Sequence, residues 1–242
     1  MSAEEAVTAA DKPAVNGREA KRVDRIERRR RQVLNAAAQL MQETGYHAMS
    51  MQAVAERADI SVGLIYQYFG GKEDVLQAVI VDILEDFRDQ VPARVEAAGD
   101  DPVARLASGI RAFCEIIDAK RDATTLTYRE SKTLTAKGKR MIKDLEIQTT
   151  EPIRRAIQDG IASGVFRDVD PEIVVHNVLM GAHGWALKHW HLAPRMTLES
   201  YITRQSDLIL ASILDPVAGK EAAMRTRQTA SRRPRARSAR TS

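Results

Sequence analysis

Residues Ser50–Leu76 read SMQAVAERADISVGLIYQYFGGKEDVL: two short apolar runs, MQAVAERA and VGLIYQYF, set directly ahead of a long helical pattern. Ser50 and Ser61 each stand where a hydroxyl can accept a hydrogen bond from the free amides of a helix start. They predict helices over Met51 to about Arg57 and Val62 to about Phe69. Val54 and Ala58 turn inward in the first, and Ile65 and Phe69, one turn apart, are the buried pair of the second. Asp59-Ile60-Ser61 is the turn between them. Neither run is long enough to be a stable helix alone, so each depends on its neighbours.

Working outward, the pattern stays helical. A first helix is expected from about Val23 to Thr44, with Val33, Ala37, Leu40 and Met41 on one face and Gly45 as its stop. Gly70-Gly71 breaks the chain after the second short run, and Glu73 and Asp74 suit the positive end of the next helix. That helix carries Leu76, Val79, Ile80, Ile83, Leu84 and Phe87 at helical steps and is long enough to join two lobes as one rod. Asp101-Pro102 and Asp170-Pro171 each pair an N-cap with a proline at the first helical position. Helices are expected near 102–118, 122–133, 137–163, 171–191 and 197–214, with Pro152 bending or splitting the third of these and Gly164 ending it. Strand alternation and fixed-period repeats are absent. The fold class is therefore all-α: an N-terminal three-helix head joined by a long helix to a helical domain.

Composition bounds the function. The 242 residues are 44% hydrophobic, enough for a real core, with a formal net charge of +4. Residues 217–242 hold Lys220 and seven arginines against Glu221 alone, so the basic balance is a property of the tail. Four regions follow: a flexible arm over 1–20, the head over 21–71, a helical domain over 72–216, and a disordered basic tail over 217–242. The tail suits either salt-sensitive DNA affinity or a solubilising end. Cys114 has no intrachain partner, no zinc spacing is present, and His176, His183, His189 and His191 form no i, i+4 pair, so no metal is expected. With no nucleophile–base signature and no phosphate-binding glycine loop, neither catalysis nor a cofactor is expected. The N-terminus lacks an apolar core and no window approaches 18 apolar residues, which implies a cytoplasmic protein without a membrane partner.

Two short helices joined by a tight turn are a helix-turn-helix, whose second helix enters the DNA major groove. With Ile65 and Phe69 inward, Gly63, Tyr66, Gln67 and Tyr68 lie on or beside the outer face. Here the chain resembles the TetR family of bacterial transcriptional regulators, over about residues 26–80. The resemblance rests on Thr/Ser, apolar-Ala, a small turn, Ser-x-Gly, Tyr-x-x-Phe and Lys-Glu. It implies that Ser50, Ser61, Tyr66, Tyr68 and Lys72 contact phosphates and that Gly63 lets the helix approach the groove; Arg28, first of four successive arginines that cannot all face the core, is a separate phosphate candidate. Gln67 is the base-reading candidate, because a carboxamide can pair bidentately with adenine. Leu64 stands where the family often has a small residue and is placed to touch a thymine methyl; Tyr68 replaces a usual His. The segment REAKRVDRIERRRRQ ahead of the head adds eight basic residues between Arg18 and Arg31, some for phosphates and some for a solvated face.

The resemblance further implies a homodimer on palindromic double-stranded operator DNA and a C-terminal domain that binds a small-molecule effector. Val174, Val178, Gly181, Ala182 and Trp185, with Leu208, Ile209, Ile213 and Leu214, suit either a dimer bundle or the intrachain core. TYRESKTL (127–134) and GAHGWALKHWHL (181–192) resemble stretches of TetR-type regulators of fatty-acid and acyl-CoA catabolism and offer Tyr128, Arg129, Trp185 and His189 as effector contacts. Arg129 equally suits an internal ion pair, and Trp185 core packing. The function expected is a ligand-responsive repressor, released by an effector such as an acyl-CoA thioester; the alternative is a regulator of efflux or aromatic catabolism with a different ligand.

Overall fold

The computed structural model describes residues 17–216. The basic tail lies outside these residues, as does the expected arm up to residue 16. Ten α-helices follow one another: α1 (Gly17–Thr44), α2 (Met51–Arg57), α3 (Val62–Phe69), α4 (Lys72–Ala97), α5 (Pro102–Ala119), α6 (Arg121–Glu130), α7 (Ala136–Ala162), α8 (Pro171–Leu187), the short α9 (His189–Leu192) and α10 (Leu198–Ile213). A 3₁₀ turn over Ser131–Thr133 links α6 to α7. No strand occurs among the described residues; Phe166 and Leu214 form an isolated bridge.

The caps stand where the sequence sets them. Ser50 accepts from the Ala53 amide at 3.1 Å and Ser61 from that of Leu64 at 3.3 Å. Asp101 accepts from Val103 and Asp170 from Glu172, at 3.1 and 2.9 Å. Each such cap contributes about 1 kcal/mol. Asp59, in the α2–α3 turn, has φ +51°, a left-handed conformation that a short polar side chain tolerates.

Three expectations need correction. Helix α1 begins at Gly17, so residues 17–20 are helical rather than arm. Helix α7 runs unbroken through Pro152, so the proline does not split it; the Thr149 and Thr150 hydroxyls donate to carbonyls of the turn ahead of it. The helix expected near 171–191 stops at Leu187 and resumes as α9.

Helices α1–α3 enclose Val33, Ala37, Met41, Val54 and Ile65. Helix α4 leaves this head and becomes the central rod of the second domain, where α5, α6 and α7 pack against it. Phe87 of α4 stacks on Phe113 of α5, centroids 4.4 Å apart. Small residues set the closest approaches. A Cβ at Gly160 would lie 2.0 Å from the buried Phe166 ring, which closes the turn after α7 and pairs with the end of α10. Gly160→Ala is therefore expected to lower stability by about 1–3 kcal/mol through overpacking, read as a lower urea midpoint. An unchanged midpoint would mean that the Phe166 ring is free to move.

Candidate functional site

On α3, Ile65 and Phe69 are buried, and Gly63, Tyr66 and Gln67 project on the opposite side at helical spacing. Tyr66 is 52% exposed. Tyr68 and Leu64 are half-buried, and the Tyr68 ring meets Phe69 edge-on. A Cβ added at Gly63 would meet no atom within 4 Å, so packing inside the chain gives no reason for glycine there. The Ser50 and Ser61 oxygens accept backbone amides, which leaves each hydroxyl proton free for an outside acceptor. Lys72 donates to the His47 carbonyl at 2.9 Å and lies over the Tyr46 ring, so its charge is held at the start of α4. Arg28 is exposed and paired with Asp24 on its own helix.

The second domain contains a narrow cavity of about 60 Å³. Its walls are Ile80, Ile83, Leu84 and Phe87 of α4, Ile117 of α5, Thr124, Thr127 and Tyr128 of α6, Ile142, Glu146 and Thr149 of α7, and Leu179 and His183 of α8. The three threonine hydroxyls all donate to backbone carbonyls three or four residues earlier, Thr124 to that of Lys120 just ahead of α6, so they offer only lone pairs inward. Tyr128 and His183 Nδ1 are hydrogen-bonded at 2.7 Å. No lysine or arginine among the described residues lines the cavity, and Glu146 supplies its carboxylate.

Of the four expected effector contacts, Tyr128 lines this cavity. Arg129 points the other way and reaches Gln42 of α1 at 3.4 Å. Trp185 is buried against Tyr201, and its indole donates to Asp118 of α5 at 2.7 Å. His189 sits beside the Arg121 guanidinium at the start of α6. The structure does not bring these three to the cavity, because α8 turns His183 inward and carries Trp185 round to α5. His183 and Glu146 were missed; Leu179 and His183, one turn apart, were the available signal.

Burial pushes the His183 imidazole down to about 4 and pushes the Tyr128 phenol up, helped by the Glu146 charge. With a depressed folded pKa, His183 takes up a proton more readily in the unfolded chain, so stability is level above about pH 6.5 and falls as pH drops toward about 4. His183→Gln is expected to remove that part of the slope, measured as urea midpoints between about pH 7 and about pH 5. The same acid loss in both proteins would show that the ring titrates as if exposed.

The expected dimer face also changes. Val174, Val178, Ala182, Trp185, Ile209 and Ile213 are buried within the chain. The outer faces of α8 and α10 expose Ile173, Met180 and Leu208 instead.

The comparisons agree with this architecture. Residues 33–79 match the family model described as "Bacterial regulatory proteins, tetR family", and residues 99–213 match "Tetracyclin repressor-like, C-terminal domain". The HTH-type transcriptional regulator HbdR of Aromatoleum sp. (strain CIB) is 38% identical over 177 residues, 73% of this chain and 77% of that protein. The chain belongs to the TetR family. Among solved structures, the TetR family regulator PfmR from Thermus thermophilus aligns with a TM-score of 0.64 at 26% identity, over 74% of this chain and 97% of that one. AibR, crystallised with isovaleryl coenzyme A and operator DNA, shares the fold with a TM-score of 0.63 at 24% identity, over 74% and 97%. This TetR-family chain is thus a transcriptional regulator with a helix-turn-helix head. No helix among the described residues is long and apolar enough to cross a membrane.

Proposed function

We propose that the chain is a ligand-released repressor that binds two-fold symmetric operator DNA as a dimer and takes an acyl thioester as effector. The observation that carries this reading is the position of α6. One face of α6 lines the cavity with Thr124, Thr127 and Tyr128, and another lies along α1, where Arg129 reaches Gln42. Cavity and head therefore share a wall. At about 60 Å³ the cavity is far below the roughly 300–1,000 Å³ of ordinary ligand sites, so an acyl chain must push its walls apart. Outward movement of α6 and of the α4 turn over 80–87 carries α1 with it. In a dimer this changes the separation of the two α3 helices, which must stay near 34–36 Å to fit successive major grooves. Ile173, Met180 and Leu208 supply the apolar surface for such a dimer.

The lining favours an uncharged acyl group. It is mostly apolar, the hydrogen-bonded Tyr128–His183 pair keeps one O–H or N–H to donate to a carbonyl, and Glu146 repels a free carboxylate. A groove of about 300 Å³ between α7 and α8 shares Glu146 and Leu179 with the cavity and offers Lys143 and His176 to phosphates. AibR, with the same fold, holds isovaleryl coenzyme A in its crystal. Glu146 also supports a second reading, a lipophilic cation as effector, which would suit an efflux regulator.

The test is titration of the protein on its own upstream duplex at fixed salt, with acyl-CoA thioesters, the matching free acids and lipophilic cations. Release by thioesters alone is expected, with a coupling of ~1–3 kcal/mol, roughly 5- to 150-fold in affinity. Release by the cations alone would replace the thioester with the second reading. Tight specific binding unmoved by any of them would remove both ligand classes.

A further inference from the structure

The arginines of α1 divide into two sets. Arg30 and Arg31 line a groove with the acidic face of α4, where Arg30 lies 3.6 Å from Glu85. Arg28 is paired with Asp24. Arg22, Arg25 and Arg29 are exposed and have no acidic partner among the described residues. Their steps of three and four put them on one side of the helix. No residue between 21 and 32 is fully buried, and Arg22, Arg25 and Arg29 are exposed while Ile26 and Arg30 are half-buried.

Gln32 fixes the direction of that stripe. Its amide donates to the Ala58 carbonyl at 2.9 Å, at the end of α2 and three residues before Ser61 caps α3. Arg29 and Arg25 precede Gln32 by three and seven residues, so they share its side of α1. At 1.5 Å per residue, Arg29, Arg25 and Arg22 emerge roughly 4.5, 10 and 15 Å beyond the α2–α3 turn.

We infer that Arg22, Arg25 and Arg29 form a second DNA-backbone surface, which neutralises phosphates flanking the segment met by α3. This rests on the reading of the head as the DNA-binding end. Guanidinium groups on a projecting helix meet phosphates without reading bases, so the surface adds affinity to any duplex and leaves sequence preference to α3. Arg28 and Arg30, each facing a carboxylate, contribute less.

The test compares the full chain with the variant Arg22→Gln/Arg25→Gln/Arg29→Gln on its upstream duplex and on a scrambled duplex of equal length, across a salt series. Each phosphate neutralised contributes about 0.9 to the slope of log K against log salt, so with three arginines on each protomer the slope for the variant dimer should be shallower by about 5.4 on both duplexes. Arg30→Gln should leave the slope nearly unchanged, and equal helical circular dichroism checks that α1 persists. A variant slope equal to that of the unmodified protein overturns the stripe while the DNA-binding reading stands. Absence of salt-dependent binding by the unmodified protein overturns both.

Discussion

Gly63→Leu is expected to leave the fold intact and to reduce operator binding to the level of scrambled DNA. Gly63 lies in the first turn of α3 on its exposed side, and a Cβ there meets nothing in the chain. A helix pays up to about 1 kcal/mol for glycine relative to a good helix former, so the replacement should hold or raise the melting temperature. The same side chain would stand between α3 and the groove floor. Specific binding exceeds nonspecific binding typically by about 10³-fold or more, so a loss of about that size is expected on the operator and little on a scrambled duplex. Unchanged operator affinity would mean that this face of α3 does not approach the bases.

Lys120→Met carries the largest expected effect on stability. Lys120 ends α5, and its ammonium reaches across to Asp82 and, at 3.4 Å, Asp86 of α4. The Lys120 and Asp82 side chains are only 15% and 10% exposed. Removing the cation leaves Asp82 nearly buried without its counter-charge, which costs about 3–5 kcal/mol. The urea midpoint should fall accordingly. Adding Asp82→Leu to the same chain should recover most of that loss, because the penalty lies in the unpaired carboxylate rather than in the attraction removed. A loss below about 1 kcal/mol for Lys120→Met would place the pair with ordinary surface ion pairs.

The head was legible because its signals are local. Caps at Ser50 and Ser61, the buried pair Ile65 and Phe69, and the stop at Gly70, whose φ is +77°, each depend on residues within a turn or two. The cavity depends on which helix crosses which, and that is not local. His183 and Trp185 are two residues apart on α8, yet one meets Tyr128 of α6 and the other Asp118 of α5. Apolar residues occupy both faces of α8, with Val174 and Val178 buried and Ile173 and Met180 exposed, so its pattern does not tell inside from outside. Arg129 was ambiguous for the same reason; only the position of α1 beside α6 decides that it turns to Gln42.

The central claim is that the cavity and the recognition helix are coupled through α6. The most direct measurement is hydrogen exchange of the protein with and without its upstream duplex. Coupling predicts slower exchange in α2 and α3 and also in α6 and the adjoining cavity wall, although the proposed duplex contacts lie in the head. Protection confined to the head, with α6 exchanging at the same rate in both states, would contradict the account.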